Sequence, residues 1–118
     1  MPKLIVLIVE DEPMLRFDAV DFVEDAGIEV IEATNADDAI VMMETHPEIN
    51  VVFTDIEMPG TMNGLKLAFA VRDRWPDVSL IIASGRIRPE PAEMPSGVTF
   101  LPKPYTEASV LAAVRHAA

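Results

Sequence analysis

The chain has 118 residues, half of them hydrophobic, no cysteine, and a formal charge of -11 from 9 Lys and Arg against 20 Asp and Glu. This fits a single domain over residues 1–118 with a real core and excludes a disulfide framework or a thiolate metal site. The acidic balance argues against direct nucleic-acid binding, which needs a basic face, and favours cations or basic protein surfaces as partners. No apolar run reaches the length of a membrane span, and acids interrupt the N-terminal apolar stretch too early for a secretory signal. The expected location is cytoplasmic, with no membrane contact.

Leu4 to Val9 is an unbroken aliphatic run and reads as a strand covered on both faces. Pro13 suits the first turn of a helix. Leu15, Ala19, Phe22, Val23 and Ala26 continue that helix at its own spacing, and Gly27 stops it. Ile28 to Ile31 is a short second strand. Asn35, with Asp38 three residues on, caps a second helix whose apolar stripe is Ala36, Ala39, Ile40 and Met43, and His46-Pro47 ends it. Val51 to Phe53 is a third strand, closed by Thr54-Asp55, and Met58-Pro59-Gly60 is a loop. Leu65, Ala68, Val71, Arg72 and Trp75 mark a third helix, stopped at Pro76. Ser79 to Ala83 is a fourth strand. Arg86 to Gly97 holds Pro89, Pro91 and Pro95, so a fourth helix there is short or irregular. Phe100-Leu101 is a fifth strand and Glu107 to His116 a closing helix. This alternation implies an α/β doubly wound parallel sheet with helices on both faces.

In such a sheet, function gathers at the carboxyl ends of the strands. Glu10, Asp11 and Glu12 follow the first strand, Asp55 ends the third, Ser84-Gly85 the fourth and Lys103-Pro104 the fifth. Singly, each has a plain structural explanation. Acids favour the start of a helix, Asp opens loops, Ser-Gly fills turns, and a lysine is solvated at an edge. Together they describe a chemistry. Asp11 and Asp55, with Glu10 behind them, offer the hard oxygens that suit Mg²⁺. An Asp carboxylate is a nucleophile toward phosphorus, and a metal and a lysine ammonium neutralise the transferring phosphoryl oxygens. A Ser84 hydroxyl can hydrogen-bond one of them. His46 and His116 are expected at the surface of helix ends, Trp75 packed under the third helix, and the methionines in the core, with Met42-Met43 as an alternative lining of a partner groove.

The stretches "LIVLIVEDEP", "VVFTDIEMPGTMNGL", "LIIASG" and "FLPKPY" resemble the receiver domain of bacterial two-component response regulators, over essentially the whole chain and most closely in its single-domain, alphaproteobacterial form. The resemblance implies a flavodoxin-like (βα)5 fold with strand order 2-1-3-4-5. It implies that Asp55 is phosphorylated by a histidine kinase or histidine phosphotransfer protein, that Asp11 binds Mg²⁺ directly and Glu10 mainly through water, and that the backbone carbonyl of Glu57 is a further ligand. Ser84 matches the hydroxyl that binds and reports the phosphoryl group, Lys103 the lysine that pairs with it, and the Lys103–Pro104 bond is expected to be cis. Phe100 stands where the family places a rotating switch aromatic, with a static core role as the other reading. Departures are the "MPGTMNG" loop, one residue longer than usual, Pro102 inside the fifth strand, tolerable at a sheet edge, and the proline-rich segment in place of a fourth helix. In the family, that helix, the fifth strand and the closing helix meet the downstream protein partner. With no output domain after the closing helix, the chain acts by protein contact or is part of a longer protein.

Three rivals remain. A haloacid-dehalogenase-like phosphatase wants Asp two residues after its nucleophile, where Glu57 stands, and a larger core or cap. A flavodoxin-like FMN carrier wants a phosphate cradle after the first strand, where three acids stand. A degenerate receiver, binding partners without phosphorylation, is opposed by the complete set Glu10, Asp11, Asp55, Ser84 and Lys103.

Overall fold

The structure, a computed structural model, describes residues 3–57, 63–86 and 88–117. The Met58-Pro59-Gly60 loop, and with it most of the long "MPGTMNG" connection, lies outside the described residues. The strands are β1 (Ile5–Val9), β2 (Glu29–Ala33), β3 (Val51–Asp55), β4 (Ser79–Ser84) and β5 (Thr99–Pro102). The helices are α1 (Pro13–Asp25), α2 (Ala36–Thr45), α3 (Gly64–Arg74) and α4 (Glu107–Ala117). All described strand pairs are parallel, in the order β2-β1-β3-β4-β5.

Strand alternation divides the core in two. Ile5, Leu7, Val9, Val52, Leu80 and Ile82 face α2 and α3 with Ala39, Met43, Leu67 and Val71. Val6, Ile8, Val51, Phe53, Ile81, Ala83 and Leu101 face α1 and α4 with Ala19, Val23, Val110 and Val114. Both faces are covered, so β1 and β3 are buried along their whole length, as their aliphatic runs require. Burying one such side chain stabilises by about 1.5–3 kcal/mol.

The helix ends follow local chemistry. Glu12 caps α1, accepting the Leu15 N–H at 2.7 Å, and Gly27 takes the left-handed turn (φ 81°) after it. Asn35 caps α2 through Asp38 N–H at 2.8 Å, and Asn63 caps α3 through Lys66 N–H at 3.0 Å. Trp75 closes α3, half-buried, with the Arg74 guanidinium 4.4 Å above its ring. His46 closes α2, its Nδ1 3.1 Å from the Met42 carbonyl. His116 is exposed in the last turn of α4. Met43 is buried in the core and Met42 packs against it, which leaves little of the pair for a partner groove.

Between β4 and β5 the only described helical turn is a 3-10 turn, Pro91–Glu93. Here the prolines prevail, and Met94, Val98 and Phe100 anchor the segment on the α2/α3 side of the core. Pro102 pairs with Ser84 at the outer edge of the sheet, where its missing N–H breaks no ladder.

Gly64, the first residue of α3, is required by space. A Cβ there would overlap the Asp55 carbonyl and come within 2.8 Å of the Ile56 Cα, both backbone atoms that cannot turn aside. Gly64→Ala should therefore cost about 1–3 kcal/mol in urea unfolding. A midpoint equal to wild type would show that the β3–α3 junction yields freely.

Candidate functional site

The parallel register brings the strand ends level. Val9 stands opposite Ala33 and Thr54, Asp55 opposite Ala83, and Ser84 opposite Pro102. Each ladder runs one step past its strand. Glu10 N–H donates to the Ala33 carbonyl, Ile56 N–H to Ala83 and Lys103 N–H to Ser84. Alternation does the rest. Glu10 continues the row Val6-Ile8, Asp55 the row Val51-Phe53, and Lys103 follows Leu101, so all three emerge on the α1/α4 side of one edge.

There, Lys103 Nζ donates to Asp55 Oδ2 at 2.8 Å and to Glu10 Oε1 at 3.1 Å. Glu10 and Asp55 are 2% and 3% exposed, against a half-buried Lys103. Glu10 is fixed further by Glu12 N–H, which donates to its Oε2 at 3.2 Å, and by Arg16, which donates to its carbonyl at 2.9 Å while pairing with Glu32. The three acids after β1 thus divide: Glu12 caps α1, whereas Glu10 and Asp11 enter the site. The Lys103–Pro104 peptide bond is cis.

The carboxylate oxygens of Glu10, Asp11 and Asp55 lie within 4.8 Å of one another. They are hard and anionic, and among the described residues no His or Cys joins them, which fits Mg²⁺ completed by water. Ser84 is 3% exposed, at the β4 end of the same edge. Phe100 is half-buried against the α2/α3 core.

Burial, and then the charge of Asp55, push the Glu10 carboxyl up to about 7. Burial also raises Asp55, against the pull of Lys103. Lys103 loses solvation too, but its bonds to Asp55 and Glu10 outweigh that and hold its ammonium above the usual range. Two features were not assigned from the sequence. The Tyr105 ring packs edge-on to Phe53, centroids 5.6 Å apart, under the acids, and burial followed by the charges of Glu10 and Asp55 raises its hydroxyl. The Glu57 side chain, not only its carbonyl, enters the site. Its Oε1 accepts from Ser84 Oγ at 3.0 Å, Gly85 N–H at 3.2 Å and Arg86 N–H at 2.9 Å. Burial opposes its ionisation, but the Arg86 N–H and Ser84 hydroxyl prevail and hold it below the ordinary range. The available signal was the Asp55-x-Glu57 spacing, which keeps both side chains on one side of an extended backbone.

The response regulator receiver domain profile matches residues 6–115. The chain belongs to that family. It shares 28% identity and a TM-score of 0.90 with a response regulator receiver protein from Sinorhizobium medicae, covering 98% of this chain and 94% of that one. With the receiver domain of the hybrid histidine kinase CckA it shares 30% identity and a TM-score of 0.81, covering 96% and 97%. It is 36% identical to the sensor kinase CckA of Brucella abortus over 86% of this chain but 11% of that protein, and 29% identical to the transcriptional regulatory protein PdtaR of Mycobacterium tuberculosis, spanning 54% of it. The chain thus matches only a part of these curated relatives. Receiver domains are mostly phosphoacceptors rather than enzymes, interact with histidine kinases, and generally bind Mg²⁺ at an acidic pocket. No described helix is long and apolar enough to cross a membrane.

The raised carboxyls tie stability to pH. A group whose native pKa lies above its unfolded value stabilises fully below the unfolded value, and that contribution is lost as pH rises through the native one. For Glu10, moving from 4.5 to about 7, this is about 3 kcal/mol; Asp55 acts in the same direction. Metal-free protein should therefore have a higher urea midpoint at pH 5.5 than at pH 8, and Mg²⁺ should restore the loss at pH 8 by binding only the native state. A metal-free midpoint that rises toward pH 8 would remove the like-charge strain.

Proposed function

We propose that the whole chain, residues 1–118, is the phosphoacceptor module of a two-component phosphorelay, and that Asp55 accepts the phosphoryl group. What carries this reading is the Lys103 ammonium 2.8 Å from a buried Asp55 carboxylate that also lies within 4.8 Å of Glu10 and Asp11. An Asp55 carboxylate oxygen attacks the phosphorus of a phosphohistidine on a histidine kinase or histidine phosphotransfer protein. The P–O bond forms, the N–P bond breaks, and the imidazole leaves with the electron pair and takes up a proton. Lys103 holds the nucleophile in place and then pairs with a phosphoryl oxygen. Asp11 and Asp55 would hold Mg²⁺, with Glu10 acting through water and the backbone carbonyl of Glu57 as a further ligand. When bound, the metal neutralises charge on the phosphoryl oxygens.

Ser84 receives a phosphoryl oxygen and, with Phe100 as the switch aromatic, reports it. That shifts an equilibrium between two conformations, read by a downstream protein on the face made by the 86–97 segment, β5 and α4. The module is cytoplasmic, contacts neither nucleic acid nor membrane, and catalyses at most its own phosphorylation and dephosphorylation.

Intact-mass spectrometry after incubation with acetyl phosphate tests the assignment. Wild type should gain one phosphoryl adduct only with Mg²⁺, and Asp55→Asn should gain none while keeping its circular dichroism spectrum. An equal adduct on Asp55→Asn would move the acceptor elsewhere. Asp11→Asn should weaken Mg²⁺ binding by tenfold or more, about the loss of one charged ligand, and an unchanged Mg²⁺ titration would take Asp11 out of the metal site.

A further inference from the structure

Glu57 stands two residues beyond the acceptor, and its own N–H donates to Asp55 Oδ1 at 3.3 Å. Its carboxylate lies beside that of Asp55, close enough for its charge to raise the Asp55 carboxyl, and reaches the end of β4. There the Ser84 hydroxyl and the successive N–H groups of Gly85 and Arg86 converge on its Oε1. A hydroxyl and two consecutive backbone amides aimed at one point make an anion-binding concavity. The carboxylate fills it imperfectly, since Oε2 is buried and has no hydrogen-bond partner among the described residues. An unpaired buried acceptor is unfavourable, so the fit belongs to the concavity and one oxygen rather than to the whole group.

Those donors are limited. A serine hydroxyl and a backbone N–H each have one proton to give. The Ser84 proton that goes to Glu57 Oε1 is unavailable to an oxygen on phosphorylated Asp55. The two anions would also repel each other across a short gap screened little by water.

We propose that Glu57 is an internal competitor of the phosphoryl group: its carboxylate occupies the Ser84, Gly85 and Arg86 donors and has to leave them before they can bind the phosphoryl oxygens on Asp55. This rests on the phosphoacceptor reading of Asp55 and adds to it a brake built from the chain's own side chain. The brake sets a threshold for switching. It also defines the first movement, since displacing Glu57 releases the amides at the start of the proline-bearing segment. Glu57→Gln keeps an acceptor oxygen but loses the charge; Glu57→Ala loses both.

The test titrates beryllofluoride, a non-hydrolysable phosphoryl mimic, with saturating Mg²⁺ into ¹⁵N-labelled wild type, Glu57→Gln, Glu57→Ala and Glu12→Gln. Glu12→Gln removes a nearby charge that does not touch the Ser84, Gly85 or Arg86 donors. Glu57→Ala should bind about tenfold more tightly or better, the scale of one charge-assisted hydrogen bond. Glu57→Gln should fall between it and wild type, and Glu12→Gln within about twofold of wild type, as expected of an exposed charge. The Gly85 and Arg86 amide signals should move on Glu57→Ala alone and move again when the mimic binds. Binding by Glu57→Ala with none by wild type would support the brake in its strongest form. Equal or weaker binding by Glu57→Ala, or the same gain from Glu12→Gln, would overturn the competition and leave Asp55 as acceptor. No binding by any of the four proteins would overturn the acceptor reading and the brake with it.

Discussion

The Lys103 ammonium lies between two buried carboxylates, and much of the site's architecture depends on that placement. Glu10 and Asp55 come from the ends of adjacent strands and are almost wholly removed from water. Two carboxylates this close and this buried cannot both stay ionised without a compensating cation. Lys103 supplies one positive charge and donates to both. One cation between two acids leaves the pair under-neutralised, which is why burial and the Asp55 charge still drive Glu10 upward. The same deficit makes the edge attractive to a second, divalent cation. Part of the local stability is thus exchanged for an edge with room for further positive charge.

That placement depends in turn on the sheet. β5 is an edge strand of four residues, and only its pairing with β4 and the Lys103–Ser84 backbone bond bring the lysine level with Asp55. A slip of one residue would reverse the alternation and send Lys103 to the α2/α3 face. Leu101, buried on the α1/α4 side among Ala83, Val110 and Val114, opposes that slip. Core packing and chemistry are therefore coupled through register: an apolar side chain two residues earlier fixes the direction of the ammonium.

The fold was readable because its signals are local. The aliphatic runs of β1 and β3, the Asn35 cap, Gly27 after α1 and the prolines between β4 and β5 each act over a few residues. The site was readable where it consists of residues set at strand ends, which is why Glu10, Asp11, Asp55, Ser84 and Lys103 come together at one edge. What was hidden depends on distance. Glu57 bonds to residues 27 to 29 positions away, and that meeting follows from the β3–β4 register and the path of the chain leaving β3, neither of which has a local signature. Glu12 shows the reverse problem. Adjacent acids have similar local chemistry, and only the start of α1 separates a helix cap from residues of the site. The rival phosphatase and flavin-carrier readings lose ground on the same geometry, since Glu57 is engaged with β4 and acids rather than a phosphate cradle follow β1.

The segment between β4 and β5 carries the difference from an ordinary fourth helix. An α-helix there would move as a unit, held by its own backbone hydrogen bonds. Here the described order comes from one 3-10 turn, the fixed φ of three prolines, and the anchoring of Met94, Val98 and Phe100 on the core. Its first held points are the Gly85 and Arg86 N–H groups, and what holds them is Glu57. A chain fixed at separate points passes on a displacement through the nearest anchor rather than by rotation of a rigid rod. Loss of the Glu57 contact at one end would therefore be felt first at residues 84–86 and only then at Met94. Phe100 lies beyond both, packed against the same face as Met94. On the proposed switch role, Phe100 would stand at the end of that sequence rather than at its start.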